Sequence, residues 1–523
     1  MTVTAFRLQN FMGFEDTRWI ELRPITLLFG RNSSGKSALL RALLLLRQSL
    51  NSPDAEHPLV FSAEDGFDFG NYATMVRDND VEDIEKRRMS FWFECTFDEM
   101  AEERREIEKR ISDLNGVDPG RRLRLRLIFD YDPQRKLPFL CGVDLYGESG
   151  ALLILASASS VDPRNAPWEF VSSVFDPYER DVYDRRNNVV VEQDQGNIWE
   201  TLRVVSERSF MPEFRPTAGR PDDYQSDRRY NALLLILSYL RDDILRFLEH
   251  VDYLAPLRPQ PQRYYRSYEQ TKHTMTQRGF SLMNRFHRGG ADSRAQSQFA
   301  AASNWLEESC LQVSIRRSPI DKDETVHQLM LRDVATSLGN EVNICEVGYG
   351  VSQVLPVAMQ AFLAMPGDTA MIEQPELHLH PRAQAELGDL FILTAKQGVR
   401  FIIETHSEHL LLRFRRRIAE STSGALQQTD PVFINASDLR AYFVDRITSM
   451  SEVEEIKIDS VGKMSSPQGF RGFFADDLQE LAMLNQAILN FQAGGPAQLI
   501  LRLIPMYSLL PSSNCPVSMR SIF

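Results

Sequence analysis

Residues 30–37 read Gly-Arg-Asn-Ser-Ser-Gly-Lys-Ser, and few eight-residue stretches constrain a fold as tightly. The pattern GxxxxGK[ST] needs a strand before it and a helix after it. Both are legible: residues 25–29 are an apolar run of strand length bounded by Pro24 and Gly30, and residues 37–50 are strongly helical in composition. Gly30 and Gly35 let the backbone curl, so that the N–H groups of Arg31, Asn32, Ser33 and Ser34 turn inward toward phosphate oxygens. The helix that follows adds its positive dipole end. Lys36 is placed to reach the outer phosphates of ATP, and the Ser37 hydroxyl to ligate Mg2+, a hard cation that prefers oxygen.

A phosphate loop alone does no chemistry. Phosphoryl transfer also requires a carboxylate on the metal side, a group that positions water, and charge stabilisation at the γ-phosphate. The sequence 372–376, Ile-Glu-Gln-Pro-Glu, closes a short apolar strand, and carboxylates at strand C-termini lie where open α/β sheets bind ligands. Glu373 is the candidate for Mg2+, together with Ser37, and Glu376 for positioning the attacking water; capping of the next helix is the competing reading. The next apolar strand ends in Ile403-Glu404-Thr405-His406-Ser407. Its His406 is a candidate hydrogen-bond donor to the γ-phosphate, against the plainer reading of a structural histidine. Gly348, Gly350 and Ser352 precede a helix and form a further candidate anion turn.

Strands and helices alternate from about residue 329, with helices over 351–365, 381–396 and 407–420 and strands over 369–372 and 399–403, which predicts a mainly parallel sheet covered by helices. The expected fold class is therefore α/β, a nucleotide-binding head split by a long mixed α+β insertion. The divisions are 1–80 and 329–450 for the head, 81–328 for the insertion and 451–523 for a C-terminal extension. Within the insertion, 99–113 reads as a solvated charged helix, 123–130 and 151–156 as strands, and 230–250 as a long amphipathic helix.

The chain of 523 residues has a net charge of −13, so it is not a generally basic nucleic-acid coat. Residues 258–296 run against that background, with eight Lys or Arg, two acids and interleaved tyrosines and phenylalanines. Such a segment suits a nucleic-acid backbone and its bases. It equally suits a solvated or partner-binding loop, or an internal counterpart to the acidic surface. A second cluster, Arg413, Arg415, Arg416 and Arg417, has a local explanation near a helix C-terminus. Five scattered cysteines form no CxxC pair, which speaks against zinc and disulfide frameworks. No secretory signal is legible and the most apolar run, 38–46, is too short to span a bilayer. A cytoplasmic location with no membrane contact is expected.

The phosphate loop, the 348–353 turn, the 373–376 acids and His406, in that order, resemble the ATPase heads of the ABC, SMC and RecF group. So does the opening Phe6-Arg7-Leu8-Gln9-Asn10-Phe11 through Pro24-Ile25-Thr26. The sequence is most similar to bacterial AAA-type ATPases of the overcoming-lysogenization-defect-like class. The residues carrying that likeness are 373–381 (EQPELHLHP) and 253–258 (YLAPLR), with 469–474 as a looser third segment. The resemblance implies two ATP molecules held between two subunits, with Gly348 to Gln353 of one facing the phosphate loop of the other. It makes His406 a switch histidine and explains His378 and His380 without a metal. It implies a homodimer or higher oligomer acting on a separate effector, a nuclease or toxin, in phage defence. A RecF-like DNA-repair ATPase and a nucleotide-gated scaffold with little turnover remain alternatives. Two departures matter: Gln374 stands where such heads place the catalytic Glu, and Gly348 where they place the signature serine, which leaves Ser352 as its substitute. Either Glu376 takes over, or hydrolysis is slow and ATP mainly drives dimerisation.

Overall fold

The computed structural model describes residues 2–465 except 51, 53–56, 64–65, 98–120, 151, 159–167, 172–178, 184–188, 194–201, 206–209, 217–227, 259, 267–292, 323–325, 335–340 and 447–448. These residues belong to the unit Met1–Pro467; the second unit, Gln468–Phe523, lies outside them. The charged stretch 99–113, most of the basic stretch 258–296 and the segment 469–474 also fall outside the described residues.

The N-terminal strands β1 (Thr2–Phe11), β2 (Phe14–Asp16) and β3 (Ile20–Glu21) lead into β4 (Ile25–Gly30). β1 does not pair with β4. It pairs with β5 (Met89–Thr96), and the sheet continues through β6 (Arg122–Asp132), β7 (Leu137–Tyr146), β8 (Leu152–Ala158) and β9 (Trp168–Val171), every pairing antiparallel. The reason is written in β6, RLRLRLIFDYD. Its leucines Leu123, Leu125 and Leu127 are buried on one face while its arginines stand on the other. There Arg124 faces Glu94 and Arg126 faces Asp144 across the strands, and their guanidinium groups lie over Trp19 and Trp92. Two hairpins follow, β10 (Glu179–Tyr183) with β11 (Val189–Gln193) and β12 (Leu202–Val205) with β13 (Glu213–Pro216).

β4 is the centre of a different sheet. With β14 (Val251–Leu254), β19 (Thr369–Glu373), β20 (Arg400–Glu404), β21 (Leu439–Arg446), β22 (Ser451–Ile458) and β23 (Met464–Ser465) it forms seven strands in the order β14-β19-β20-β4-β21-β22-β23. Pairings from β14 to β21 are parallel and the last two are antiparallel. A small antiparallel sheet, β15 (Tyr265–Arg266), β16 (Val313–Pro319), β17 (Val326–Asp333) and β18 (Val342–Asn343), completes the strands. The expectation of a mainly parallel sheet is thereby corrected. Most pairings among the described residues are antiparallel, and the parallel ones are confined to the five strands around the phosphate loop. Two strands of the stretch 81–328 matter to the head: β5 pairs with β1, and β14 is the edge of the parallel sheet.

Helix α1 (Lys36–Ser49) touches β1, β4 and the long helix α2 (Arg228–Glu249). Leu39, Leu40 and Leu43 to Leu46 are all at most 1% exposed, which explains a helix apolar around most of its circumference. At roughly 1.5–3 kcal/mol for each fully buried leucine, this packing fixes α1, and with it the phosphate loop, against both sheets. Further helices are α3 (Ser293–Glu308), α4 (Tyr349–Leu363), α5 (Pro381–Ala395) and α6 (Glu408–Thr422). α5 begins with Pro at its first position after the cap, and the α6 cap is Ser407, whose hydroxyl accepts from the Leu410 amide at 3.1 Å. α5 and α6 pack together, and Asp389 accepts from both Arg413 and Arg417. Among the described residues no helix is long and apolar enough to cross a membrane.

Candidate functional site

The turn between β4 and α1 has the backbone its glycines predict. Gly30 sits at φ 152° and Gly35 at φ 108°, and Ser33 also takes a positive φ. A Cβ on Gly30 would come within 2.1 Å of the Val444 carbonyl, so no other residue fits. Gly35 caps α1 with no side-chain hydrogen bond, so the amides of the first turn are not taken by a capping side chain. Lys36 folds back over the loop, its Nζ donating to the carbonyls of Gly30 at 2.9 Å and Arg31 at 2.8 Å.

The strand order places two carboxylates beside this loop. β20 lies between β4 and β19, and Glu373 and Glu404 are register partners at the C-terminal ends of β19 and β20. Glu404 meets the start of α1: it accepts from the Ser37 hydroxyl at 2.8 Å and lies 3.7 Å from Lys36 Nζ. Glu376, in the turn after β19, accepts from the His406 amide at 2.7 Å. All three carboxylates act on Lys36: burial holds its ammonium below the usual value, and Glu404, Glu373 and Glu376 oppose that. Burial, then the Glu404 charge, pushes the Glu373 carboxyl up to about 7, and burial also raises Glu376 and Glu404. Arg41 also acts on Glu373 and Glu404, and Arg258 on Glu376, so the carboxylates and the cations answer each other within the site.

A Mg2+ ion fits these donors by their chemistry. Ser37, Glu404 and Glu373 offer only hard oxygens, and such sites take one or two carboxylates plus phosphate oxygens and water. No cluster of three or more His, Cys, Asp or Glu suited to a metal occurs among the described residues, and His380 serves instead as the α5 cap, accepting from the Arg382 amide. His406 follows β20 in the turn that leads to the α6 cap. Burial, then the Lys36 charge, holds its imidazole down to about 4, so at neutral pH the ring carries one N–H donor and no charge.

Three supporting residues were not among the expected site residues. Glu404 was legible as a carboxylate at a strand end, but only the strand order reveals that it, rather than Glu373, meets Ser37. Tyr253 and Arg258 come from the 253–258 segment. The Tyr253 hydroxyl donates to Glu373 Oε1 at 2.7 Å, and Arg258 Nη2 donates to the Glu373 and Gln374 carbonyls at 3.1 and 3.0 Å. Arg258 is 6% exposed, which removes it from the candidate nucleic-acid surface. Of the other arginines in that stretch, Arg263 pairs with Glu346, and those within 267–292 lie outside the described residues. In the 413–417 cluster, Arg413, Arg416 and Arg417 pair with Asp389 and Glu420, and Arg415 donates to the Gly462 carbonyl.

Gly348, Gly350 and Ser352 lie at a helix start, as their sequence setting predicts. They form the cap and first turn of α4, whose neighbours are α3, β19 and α5; a Cβ on Gly350 would meet the His378 carbonyl at 3.4 Å, and Ser352 is buried.

Two family models match the sequence. One, described as "AAA ATPase domain", covers residues 1–124; the other, described as "AAA domain, putative AbiEii toxin, Type IV TA system", covers residues 216–413. No curated protein matches the chain. Solved structures similar to it include an SMC head bound to the C-terminal winged-helix domain of ScpA, at 10% identity over 87% of this chain and 98% of that one, with a TM-score of 0.39. The SMC head domain from Thermotoga maritima matches at 8% identity over 88% and 100%, TM-score 0.35. The Smc head with an extended coiled coil bound to the ScpA C-terminal domain, from Pyrococcus furiosus, matches at 10% identity over 87% and 96%, TM-score 0.36. The two AAA matches take in both the phosphate loop and the carboxylate strands, and they support a P-loop ATPase that binds ATP.

Proposed function

We propose that this chain is an ATP-hydrolysing switch of the ABC/SMC-head type, which ATP closes into a homodimer that controls a separate effector protein in bacterial phage defence. The observation that carries the ATPase reading is the convergence of Lys36 and Ser37 with Glu404, Glu373 and Glu376 at the ends of adjacent strands. The loop amides and Lys36 bind the β- and γ-phosphates. Ser37, Glu404 and Glu373 would hold Mg2+, which when bound neutralises charge on the transferring phosphoryl group. Glu376, fixed by the His406 amide, orients water, and the neutral His406 ring offers a hydrogen bond to the γ-phosphate. Gln374 cannot accept a proton, so the role left open by a missing catalytic Glu falls to Glu376. We read the head as 1–80 and 329–450, with 81–328 inserted and 451–523 as an extension; β14 of the insertion and β22 and β23 of the extension complete its seven-stranded sheet.

The dimer reading draws on the place of Gly350 in the first turn of α4, where an added Cβ would meet the His378 carbonyl of the turn after β19 at 3.4 Å. The effector reading rests on the resemblance of 373–381 and 253–258 to phage-defence ATPases, and the "Type IV TA system" label is compatible with it. The test is turnover of Mg-ATP by the purified chain, with its mass followed by light scattering with and without ATP. ATP-dependent doubling of mass, strengthened by Glu376→Gln, is expected. Absence of any turnover sinks the ATPase reading, and a mass unchanged by ATP sinks the switch. Turnover stimulated by DNA and lost when the arginines of 258–296 are neutralised would instead support a repair ATPase.

A further inference from the structure

The edge strand β14 does more than extend the parallel sheet. Its register sets Tyr253 beside Met371 and Leu254 beside Ile372, so the chain leaves β14 alongside the end of β19. Pro256 lacks the N–H that would continue the ladder, and the segment turns there. That turn brings Arg258 under the peptides that follow β19. Gln374 is at φ 45°, a left-handed conformation rare for a side chain of this kind, and in it the successive carbonyls of Glu373 and Gln374 share one guanidinium nitrogen. The Gln374 amide is held on the other side by the Glu404 carbonyl at 2.7 Å. Tyr253, 7% exposed, fixes one oxygen of the Glu373 carboxylate.

Arg258 is an expensive way to tie two carbonyls together. Its Nε and Nη1 are buried with no hydrogen-bond partner among the described residues, and unpaired buried donors on a cation cost stability. A neutral amide could bridge two carbonyls without that cost. The guanidinium also feels the Glu376 charge, and so stands behind both acids of the 373–376 turn.

We propose that Tyr253 and Arg258 are positioning residues for ATP turnover: Tyr253 sets the Glu373 carboxylate, and Arg258 holds the strained Glu373–Gln374 turn that aims Glu373 and Glu376 at the phosphate loop. This rests on the reading of those acids as participants in turnover. Neither residue meets the nucleotide loop, so their loss should act on the rate and not on ATP affinity.

The test is steady-state turnover of Mg-ATP by the full chain, with binding of a fluorescent ATP analogue and thermal midpoint measured on the same preparations. Tyr253→Phe and Arg258→Met are each expected to lower kcat about tenfold, as loss of partners that orient metal-side ligands commonly does. Analogue affinity should change less than about threefold, since the amides and Lys36 that bind phosphate are untouched. Arg258→Lys should restore part of the rate, because its ammonium still reaches a carbonyl. Leu257→Ser, which alters the same turn at a residue 88% exposed, should leave kcat unchanged. Wild-type kcat in Tyr253→Phe and Arg258→Met would overturn the inference. So would affinity, rate and thermal midpoint falling together, or Leu257→Ser losing as much rate as Arg258→Met. Should Arg258→Met not fold, the single-hydroxyl change in Tyr253→Phe decides alone. A wild-type chain that turns over no ATP sinks the ATPase reading and this inference with it; an active wild type with unaffected variants sinks only the inference.

Discussion

The Ser37 hydroxyl donates to Glu404 at 2.8 Å, joining the first turn of α1 to the end of the strand beside the phosphate loop. A hydroxyl oxygen and a carboxylate so placed are two of the oxygens a Mg2+ site requires. Glu404→Gln keeps the hydrogen bond but removes the charge. It should raise the Mg2+ concentration for half-maximal turnover about tenfold while barely changing thermal stability. Ser37→Ala should shift the Mg2+ requirement in the same direction. A Mg2+ titration of turnover checks both, and a Glu404→Gln curve lying on the wild type would return the metal role to Glu373 alone.

Lys36 is buried, and its ammonium is held by the Gly30 and Arg31 carbonyls with Glu404 at 3.7 Å. Charge-assisted hydrogen bonds are worth about 1.5–3 kcal/mol each, so Lys36→Ala should weaken ATP binding by roughly 10- to 100-fold. Isothermal titration with ATP reads this directly. Retained affinity would remove the foundation of the nucleotide reading.

The phosphate loop, α1 and the strands ending in Glu373 and Glu404 were legible because local rules determine them: glycines where φ turns positive, an apolar run of strand length, a Ser407 cap. The antiparallel sheet was not. β1 and β5 are separated by more than 70 residues, and alternation in β6 tells which face is buried without telling which strand lies alongside. The site suffered similarly. Glu404 is a strand-end acid like Glu373, and only the order β19-β20-β4 decides which of them meets Ser37. For Arg258 the sequence shows charge but not burial, so a nucleic-acid surface, a partner-binding loop and an internal counterpart to acids stay equally open until the fold buries it.

Gly30 is pinned by geometry as well as by ligand chemistry. Val444 is its register partner on β21, and a Cβ at Gly30 would stand 2.1 Å from that residue's carbonyl oxygen. Backbone cannot yield as a side-chain tip can. Gly30→Ala should therefore cost roughly 1–3 kcal/mol by overpacking alone, and lower the thermal midpoint before any nucleotide is added. An unchanged midpoint in the nucleotide-free protein would show that the β4–β21 packing has room that the structure denies.

The arginines of 413–417 offer a check on nucleic-acid binding. Asp389 accepts from Arg413 at 2.6 Å and from Arg417 at 2.7 and 2.8 Å, and Arg416 bonds Glu420 at 2.6 Å. Held by these bonds, Arg413, Arg416 and Arg417 should serve stability. Asp389→Ala should destabilise the chain by about 1–3 kcal/mol, as loss of charge-assisted bonds does, without altering kcat. Reversing Arg416 to Glu should leave the affinity for a DNA duplex, if the chain has any, unchanged. A fall in that affinity at constant thermal midpoint would mark the cluster as a contact surface.

Glu376 poses the sharpest question, because a carboxylate there has two jobs that substitution can separate. One oxygen accepts from the His406 amide at 2.7 Å and holds the β20–α6 turn against the β19 turn; the carboxylate also feels the Thr405 hydroxyl and the Arg258 charge. Glu376→Gln preserves an oxygen for the amide and abolishes the negative charge. Glu376→Ala abolishes both. If Glu376 only fastens the two turns, the glutamine variant keeps wild-type turnover and the alanine variant loses thermal stability. If its second oxygen orients the attacking water, the glutamine variant folds with an unchanged thermal midpoint and ATP affinity, yet kcat falls by about 100-fold, the scale of a single general-base contribution. With Gln374 unable to take a proton, the second outcome is expected. Wild-type turnover in Glu376→Gln would refute that assignment and leave Glu373 and Glu404 as the carboxylates beside the phosphate loop.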